Sequence, residues 1–288
     1  EAVAAAMGRL EGAYSLVVSS ATKLMAVRDP HGFRPLCMGK RPDGAVVFAS
    51  ETCALDAVGA SFIRDVEPGE VVTVDREGIR SHRTRCGKVP KSLCVFEYIY
   101  FSRPDSVVDG ASVSQARQRA GAFLAQEHPV EADVVVGVPD SGLDAAIGYA
   151  GESGIPYAIG FTKNKYIGRT FIAPAQNQRE TGVNIKLNPI RPAVEGKRVV
   201  SAPAFVAPCY YGTDIDSPEN LIANQHSVEE IAELIGVNSL GYLSMEHVRQ
   251  LTGRDTGFCT ACFGGGYPTR TPWVGEKDRF QRRVHERP

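Results

Sequence analysis

The sequence has no apolar run near the roughly 20 residues that a membrane-spanning helix needs, and no strong excess of charge of either sign. Its 32 Lys and Arg residues nearly balance its 33 Asp and Glu residues, so the formal net charge is −1. Such a balance gives no general attraction to nucleic acid or to a membrane surface. The N-terminus also lacks a charged region followed by an apolar one, so we expect no secretion signal and a cytoplasmic location.

The number of cysteines, seven, is odd, which argues against a disulfide framework in a chain without a secretion signal. The pair Cys259-Thr-Ala-Cys262 can direct both thiolates at one metal centre, and the distant Cys94 and Cys209 would complete a four-thiolate site. Buried thiols and a zinc site remain open as alternatives, although structural zinc usually takes two close pairs. The other three cysteines are assigned to packing: Cys37, Cys53 and Cys86.

Short β-like runs separated by turns fill residues 13–83. The four clearest runs are 14–19, 24–27, 45–49 and 70–75. Turns such as Asp-Pro-His-Gly at 29–32 separate them, because proline fixes φ and glycine permits conformations that other residues avoid. A helix is expected at 51–58. The pattern predicts layered β structure.

From residue 89 the pattern changes to alternating helix and strand. The expected elements are a helix at 113–127, a strand at 133–138, a helix at 143–151, a strand at 156–160 and the start of a strand at 197–200. The run at 133–138 is continuously apolar, which is typical of a strand buried on both faces of a parallel sheet. The series predicts an α/β domain. Two short helices, each led by an N-capping serine, are expected at 227–235 and 244–253.

Two segments of this second part have the composition of a phosphate site. At 134–142 a strand runs through Val-Pro-Asp-Ser-Gly into a helix N-terminus, where backbone N–H groups and the helix dipole favour an anion. The long basic segment 161–192 is a candidate lid over a phosphate-rich molecule. A plain strand-to-helix connection and a solvated charged loop remain open as the alternatives.

Longer segments are more specific than these short motifs. They are Cys-Val-Phe-Glu-Tyr-Ile-Tyr-Phe-Ser-Arg-Pro-Asp-Ser (94–106), Val-Pro-Asp-Ser-Gly (138–142), Lys-Asn-Lys-Tyr-Ile-Gly-Arg-Thr-Phe-Ile (163–172), Pro-Cys-Tyr-Tyr-Gly-Thr-Asp-Ile-Asp (208–216) and Ala-Val-Arg-Asp-Pro-His-Gly-Phe-Arg-Pro-Leu (26–36). In these segments, and over about residues 1–270, the chain resembles the iron-sulfur type of the amidophosphoribosyltransferase family.

The resemblance implies both a fold and an activity. The fold is α/β: the remnant of an N-terminal-nucleophile glutaminase with layered β structure, followed by a type I phosphoribosyltransferase with a parallel sheet. The implied boundaries are the C-terminal part of a type 2 glutamine amidotransferase domain at 1–88, a phosphoribosyltransferase domain at 89–270 and a polar tail at 271–288. The family makes 5-phosphoribosylamine from phosphoribosylpyrophosphate (PRPP) and glutamine-derived ammonia, the first step of purine (IMP) synthesis. Its members form homo-oligomers and are inhibited by purine nucleotides.

The resemblance also implies roles for individual residues. Four cysteines match the ligands of a 4Fe-4S cluster: Cys94, Cys209, Cys259 and Cys262. Ser141 matches a hydroxyl associated with Mg²⁺. Five residues match the flexible loop that closes over the substrate: Lys163, Tyr166, Gly168, Arg169 and Thr170.

Two departures from the family pattern concern catalysis. The chain begins at Glu1 within a helix-like run, so we expect it to begin partway through a longer protein, and it lacks the family's N-terminal cysteine nucleophile. No Asp-Asp pair followed by Gly-Thr-Thr is present, and Val200 runs directly into Ser201, where about 30 residues, one βα-plus-strand unit, are expected to be missing. We therefore expect the chain to be inactive as it stands. The alternative is a catalytically dead, iron-sulfur-binding relative with a regulatory or binding role.

Overall fold

The computed structural model describes residues 2–166, 186–190, 202–213, 215, 218–253 and 257–271. Within these residues the first part of the chain contains two antiparallel sheets, one in the order β1-β2-β6-β7 and one in the order β4-β3-β5. Their strands are β1 Ser15–Ser19, β2 Leu24–Arg28, β3 Cys37–Lys40, β4 Val46–Ala49, β5 Ser61–Asp65, β6 Val71–Asp75 and β7 Gly78–His82. Two helices accompany them, α1 Ala2–Ala6 and α2 Thr52–Ala57.

The β-rich character predicted for this part is confirmed. Each of the four predicted runs forms a strand, and the helix expected at 51–58 is α2. Strands β3, β5 and β7 were not predicted, and β7 is exposed along its whole length. An edge strand of this kind has no buried face to impose an alternating pattern. Five buried side chains from both sheets form a shared core: Ala26, Leu36, Met38, Val66 and Val72.

Two long helices, α3 Val113–Glu127 and α4 Gly142–Ser153, pack closely together in the second part of the chain. Helix α3 has the predicted bounds, and the Ser112 side chain caps it by accepting from Gln115 N. A Cβ added at Gly121 would lie 1.8 Å from the carbonyl oxygen of Ala145 on α4. The two backbones therefore touch at a point where only glycine leaves room.

The predicted parallel sheet is only partly present in the described residues. Strands β11 Val135–Val136 and β12 Tyr157–Ala158 pair in parallel, as expected. The prediction of a strand over 133–138 buried on both faces is wrong: the strand has two residues, both half-buried, and Val138 is 46% exposed. Within the described ranges only β12 pairs with β11, so no further strand covers it. The strand expected at 197–200 lies outside the described residues.

Two parts of the segment predicted as a candidate lid, 161–192, form β structure. Strand β13 Phe161–Lys163 pairs antiparallel with β14 Leu187–Pro189. Backbone pairing of this kind needs no apolar period in the sequence, so the sequence did not indicate it. Residues 167–185, between them, lie outside the described part of the chain.

The remaining elements are short. They are β8 Leu93–Cys94, a π-helical turn at Glu97–Phe101, β9 Val107–Val108, β10 Ala111–Ser112, a 3₁₀ turn at Pro218–Asn220, α5 Ile222–Gln225, α6 Val228–Leu234, α7 Met245–Gln250, β15 Phe258–Cys259 and α8 Ala261–Gly264. The serine caps are confirmed: Ser227 forms a capping box with Glu230, and Ser244 accepts from His247 N. In the described ranges, no helix combines the length and apolar character that crossing a membrane requires.

Candidate functional site

Four cysteines from three separate segments are brought together, and we call them the cysteine centre: Cys94, Cys209, Cys259 and Cys262. Strands β8 and β15 pair in parallel with Cys94 opposite Cys259. The carbonyl of Cys262 accepts from Val206 N at 2.9 Å and from Ala207 N at 3.2 Å, which fixes the segment leading to Cys209. The Sγ of Cys209 accepts in turn from Tyr211 N at 3.3 Å. All four cysteines singled out in the sequence therefore share one site.

The thiols of the cysteine centre influence one another electrostatically. The pKa of Cys94 is raised to about 12 and that of Cys259 to about 11, and burial is the main cause in both. Burial also raises the pKa of Cys262, and the charges of the other three thiols raise it further. Nevertheless, nowhere in the described ranges do three or more His, Cys, Asp or Glu side chains converge on a point where one metal ion would bind. The thiols are neighbours, but they do not form a single-ion site.

Aromatic rings surround the cysteine centre. Phe33 stacks on Tyr211 with ring centroids 4.1 Å apart and an interplanar angle of 17°. Phe205 stacks on Phe263, next to Cys262, at 5.1 Å. The Tyr267 hydroxyl donates to the carbonyl of Pro208 at 2.6 Å. Such rings exclude water, which agrees with the burial of Cys94, Cys259 and Cys262, whereas Cys209 is half-buried.

Arg34, from the first part of the chain, reaches into the surroundings of the cysteine centre. Its Nη1 lies 2.8 Å from Glu97 Oε1, and its Nη2 donates to the Tyr211 carbonyl at 2.9 Å and to Thr213 Oγ1 at 3.1 Å. The guanidinium also lies 5.0 Å from the centroid of the Phe101 ring. Sequence reasoning did not single out Arg34, because no local pattern marks an arginine whose contacts lie 177 and 179 residues away along the chain.

The predicted phosphate turn lies at the start of α4. Gly142 N donates to Val138 O at 3.1 Å and Leu143 N to Asp140 O at 3.3 Å, so two amides of the first turn bond within the turn itself. The Ser141 side chain makes no capping hydrogen bond. Lys163, at the end of β13, forms an ion pair with Asp140. The structure therefore brings Lys163 to the turn that contains Ser141.

The other predicted loop residues have different outcomes. Tyr166 is 98% exposed. Gly168, Arg169 and Thr170 lie outside the described residues, as does the junction of Val200 with Ser201. The three cysteines assigned to packing are separate from the cysteine centre, and Cys37 and Cys53 are buried while Cys86 is half-buried.

Comparison with known proteins is consistent with this arrangement. The sequence profile of the glutamine amidotransferase domain matches residues 1–57. Amidophosphoribosyltransferase 1, chloroplastic, from Arabidopsis thaliana is 48% identical over 93% of this chain and 53% of its own length. The Bacillus subtilis amidophosphoribosyltransferase is 46% identical over 91% of this chain and 62% of its own. The chain thus spans between about half and two thirds of these relatives.

A solved structure matches a similar share of this chain. Glutamine PRPP amidotransferase from B. subtilis, complexed with ADP and GMP, matches 93% of this chain and 66% of its own, with 44% identity and a TM-score of 0.82. This similarity confirms the predicted fold class, with glutaminase-type layered β structure in its first part.

The alignments also show that residues are missing inside the matched region. The alignment with the Arabidopsis protein is 301 positions long, which exceeds the 288 residues of this chain. It nevertheless includes only 93% of the residues of this chain. Since 93% of 288 is about 268, about 33 aligned positions have no residue in this chain, which is the size of one βα-plus-strand unit. With identity this high over nearly all of its length, the chain belongs to the amidophosphoribosyltransferase family.

Proposed function

We propose that the chain is part of an amidophosphoribosyltransferase, a pentosyltransferase that makes 5-phosphoribosylamine from PRPP and glutamine-derived ammonia in the first step of purine synthesis. The observation that carries the proposal is the 48% identity to an amidophosphoribosyltransferase over 93% of the chain. It spans the glutaminase-like sheets and the helices of the transferase part together, so it supports the combined activity rather than either half alone.

We also propose that the cysteine centre holds a 4Fe-4S cluster. Four thiols from three segments lie within electrostatic reach of one another, and burial among aromatic rings keeps water away. A single Zn²⁺ needs its thiolates about 2.3 Å from one point, and no such convergence exists in the described ranges. A cluster binds each thiolate through a different iron, so it suits more widely spaced thiols. When bound, it would supply a cross-link between segments that are far apart in the sequence.

The transferase part would bind PRPP at the start of α4. Ser141 has a hydroxyl free of any capping bond, and oxygen ligands are those that Mg²⁺ prefers. Lys163 lies close enough to pair with Asp140, so it would meet a phosphate group at the same place. Tyr166 extends into solvent, in keeping with a loop that closes over a ligand together with Gly168, Arg169 and Thr170.

The remaining partners follow from relatives. A B. subtilis relative was solved with ADP and GMP, so we propose purine nucleotides as feedback inhibitors. Most soluble oligomers are homo-oligomers, and we propose that this protein forms one. The cytoplasm remains the proposed compartment, although plant relatives are described as chloroplastic.

A second candidate function is an iron-sulfur-binding relative without transferase activity. The observation that favours it is the shortfall of about 33 aligned positions, together with the intact cysteine centre. If the missing unit falls after Val200, as expected from the sequence, it removes the acidic pair and the Gly-Thr-Thr loop. Neither the ribose nor its 5-phosphate would then be positioned, and lost orientation can forfeit roughly 7–11 kcal/mol of barrier reduction.

One assay separates the two candidates. The purified chain is supplied with ammonia, Mg²⁺ and PRPP, and pyrophosphate release is compared with a control without ammonia. We expect no ammonia-dependent release from this chain, and release from a version in which a relative's strand-loop-helix-strand unit is inserted after Val200. Activity of the restored version supports the transferase, and turnover by the unmodified chain would show that nothing essential is missing. If the restored version folds with its cluster and stays inactive, the non-catalytic relative is favoured.

A further inference from the structure

Arg34 and its neighbour Phe33 are attached to the cysteine centre through three separate contacts. Its Nη2 bonds the carbonyl of Tyr211, whose own N–H donates to the Sγ of Cys209. Its Nη1 pairs with Glu97, three residues after Cys94. Next to it in sequence, Phe33 accepts through its carbonyl from Cys94 N at 3.0 Å. The guanidinium is thus held between the segments that carry two of the four thiols.

The guanidinium of Arg34 interacts with a carboxylate as well as with thiols of the cysteine centre. Glu97 is its carboxylate partner, and the other oxygen of Glu97 accepts from Ser102 Oγ at 2.9 Å. The Arg34 side chain is 19% exposed, so water screens it weakly. Cys94 and Cys209 both interact electrostatically with the guanidinium. A cluster held by four thiolates is an anion, and a buried anion requires a nearby positive charge or hydrogen-bond donors.

We propose that Arg34 is the fixed countercharge of the cysteine centre, a positioning residue by which the glutaminase part of the chain stabilises a cluster bound by the transferase part. The inference depends on the proposed 4Fe-4S cluster. The inference goes beyond the proposed cluster because it assigns a role to a residue that binds no iron. The four ligands come from residues 94–262, and the first part of the chain enters the site through this charge, the Phe33 carbonyl and the Phe33 ring.

The expected size of the effect follows from comparable sites. Some groups contact the metal ligands without binding the metal themselves. Removing such a group typically lowers metal affinity about 10–100-fold. Arg34→Gln should therefore lose iron to a chelator, under anaerobic conditions, about 10-fold faster than the wild type or more. Arg34→Lys keeps the charge but loses the planar fork, so its rate should lie closer to the wild type than to Arg34→Gln.

Two further variants make the test specific. Arg119 is a half-buried arginine that donates to the carbonyl of Leu251, so Arg119→Gln controls for the loss of an ordinary structural arginine and should lose iron at the wild-type rate. Glu97→Gln removes the negative charge beside Arg34 and keeps the guanidinium. It should retain iron at least as well as the wild type, which is the opposite of what general damage to the site would cause.

Iron and sulfide content, the rate of iron loss and thermal unfolding are measured on all five proteins. Wild-type protein without iron and sulfide would overturn the cluster and this inference together. A loaded wild type with Arg34→Gln losing iron at the same rate would overturn the inference alone. So would equal impairment of Arg34→Lys and Arg34→Gln, since charge would then not be the cause. If Arg34→Gln does not fold, faster iron loss from Glu97→Gln than from the wild type contradicts the countercharge.

Discussion

Arg28 and Asp109 form a two-pronged ion pair, with Nη1–Oδ1 and Nη2–Oδ2 distances of 2.9 and 3.0 Å. It joins β2 of the first part to the β9–β10 turn of the second, and the Arg28 side chain is 1% exposed. Burial acts to raise the pKa of Asp109, but the hydrogen bonds and charges of Arg28 and Lys91 outweigh it and hold that pKa below its usual range. The two parts are therefore connected by a desolvated pair of charges.

Breaking this pair should strongly destabilise the protein. Asp109→Asn keeps the shape of the side chain and tolerates the positive φ of 45° at this position, but it leaves a buried arginine without its carboxylate. The expected loss is about 3–5 kcal/mol of unfolding free energy, measured by urea denaturation. Asp105→Asn, which breaks the exposed pair with Arg103, should have a much smaller effect, because solvent screens that pair. Similar losses in both variants would contradict the importance of burial here.

The contribution of Asp65 to stability should fall as pH rises, whereas that of Asp109, whose pKa is lowered, should fall as pH drops. Burial, and then the charge of Asp109, raises the pKa of Asp65 from its ordinary 3.8 to about 6. A carboxyl with a raised folded-state pKa stabilises the protein below pH 3.8, and this contribution is lost as pH rises through about 6. Asp65→Asn should therefore raise the unfolding free energy, relative to wild type, more at pH 8 than at pH 4. A difference that is the same at both pH values would refute the shift.

The contact between α3 and α4 gives a pair of glycine substitutions with opposite expected effects. Gly121→Ala would place a Cβ 1.8 Å from a backbone oxygen of α4, so the helices must separate, at a cost of about 1–3 kcal/mol. Gly151→Ala, in α4, meets no atom within 4 Å. It should stabilise by roughly 0.5–1 kcal/mol, because alanine loses less entropy in a helix. The free energies come from urea denaturation, and a stabilising Gly121→Ala would mean that the helices do not touch there.

Glutamine hydrolysis is not expected from this chain. Burial raises the pKa of both Cys37 and Cys94 to about 12, so these thiols are protonated near neutral pH and are weak nucleophiles. Glutamate release should match that of a control without protein. Steady release that is abolished by replacing Cys37 or Cys94 would identify a nucleophile that burial should have silenced.

The elements that the sequence predicted well are those with a strong local signal. Helix α3 was predicted with its observed bounds, and the structure shows that Ser112 caps its N-terminus. The serine caps at Ser227 and Ser244 are equally local. By contrast, β7 has no buried face, and the Asp133–Val138 run was predicted to be longer and more buried than β11 is. A pattern of apolar residues predicts the burial of a strand correctly only where other elements cover that strand, and in the described residues only β12 pairs with β11.

In the candidate site, too, some residues could be found from the sequence and others could not. Cys259 and Cys262 are marked by their spacing, and Cys94 and Cys209 were proposed as the two distant thiols that would complete a four-thiolate site. The resemblance to the family then assigned all four to one cluster. Arg34 was missed because its partners lie 63 or more residues away in the sequence, and no local pattern encodes such a contact. Ser141 and Lys163 were chosen separately from the sequence, and the structure places both beside Asp140.

The most direct test of the account is the metal content of the chain purified without oxygen. Four thiolates hold one cubane cluster, so we predict about four iron and four sulfide per chain. Serine replacement of Cys94, Cys209, Cys259 or Cys262 should abolish or greatly lower both, while Cys37→Ser, outside the cysteine centre, should leave both unchanged. Stoichiometric zinc with no sulfide in the wild-type protein would contradict the account.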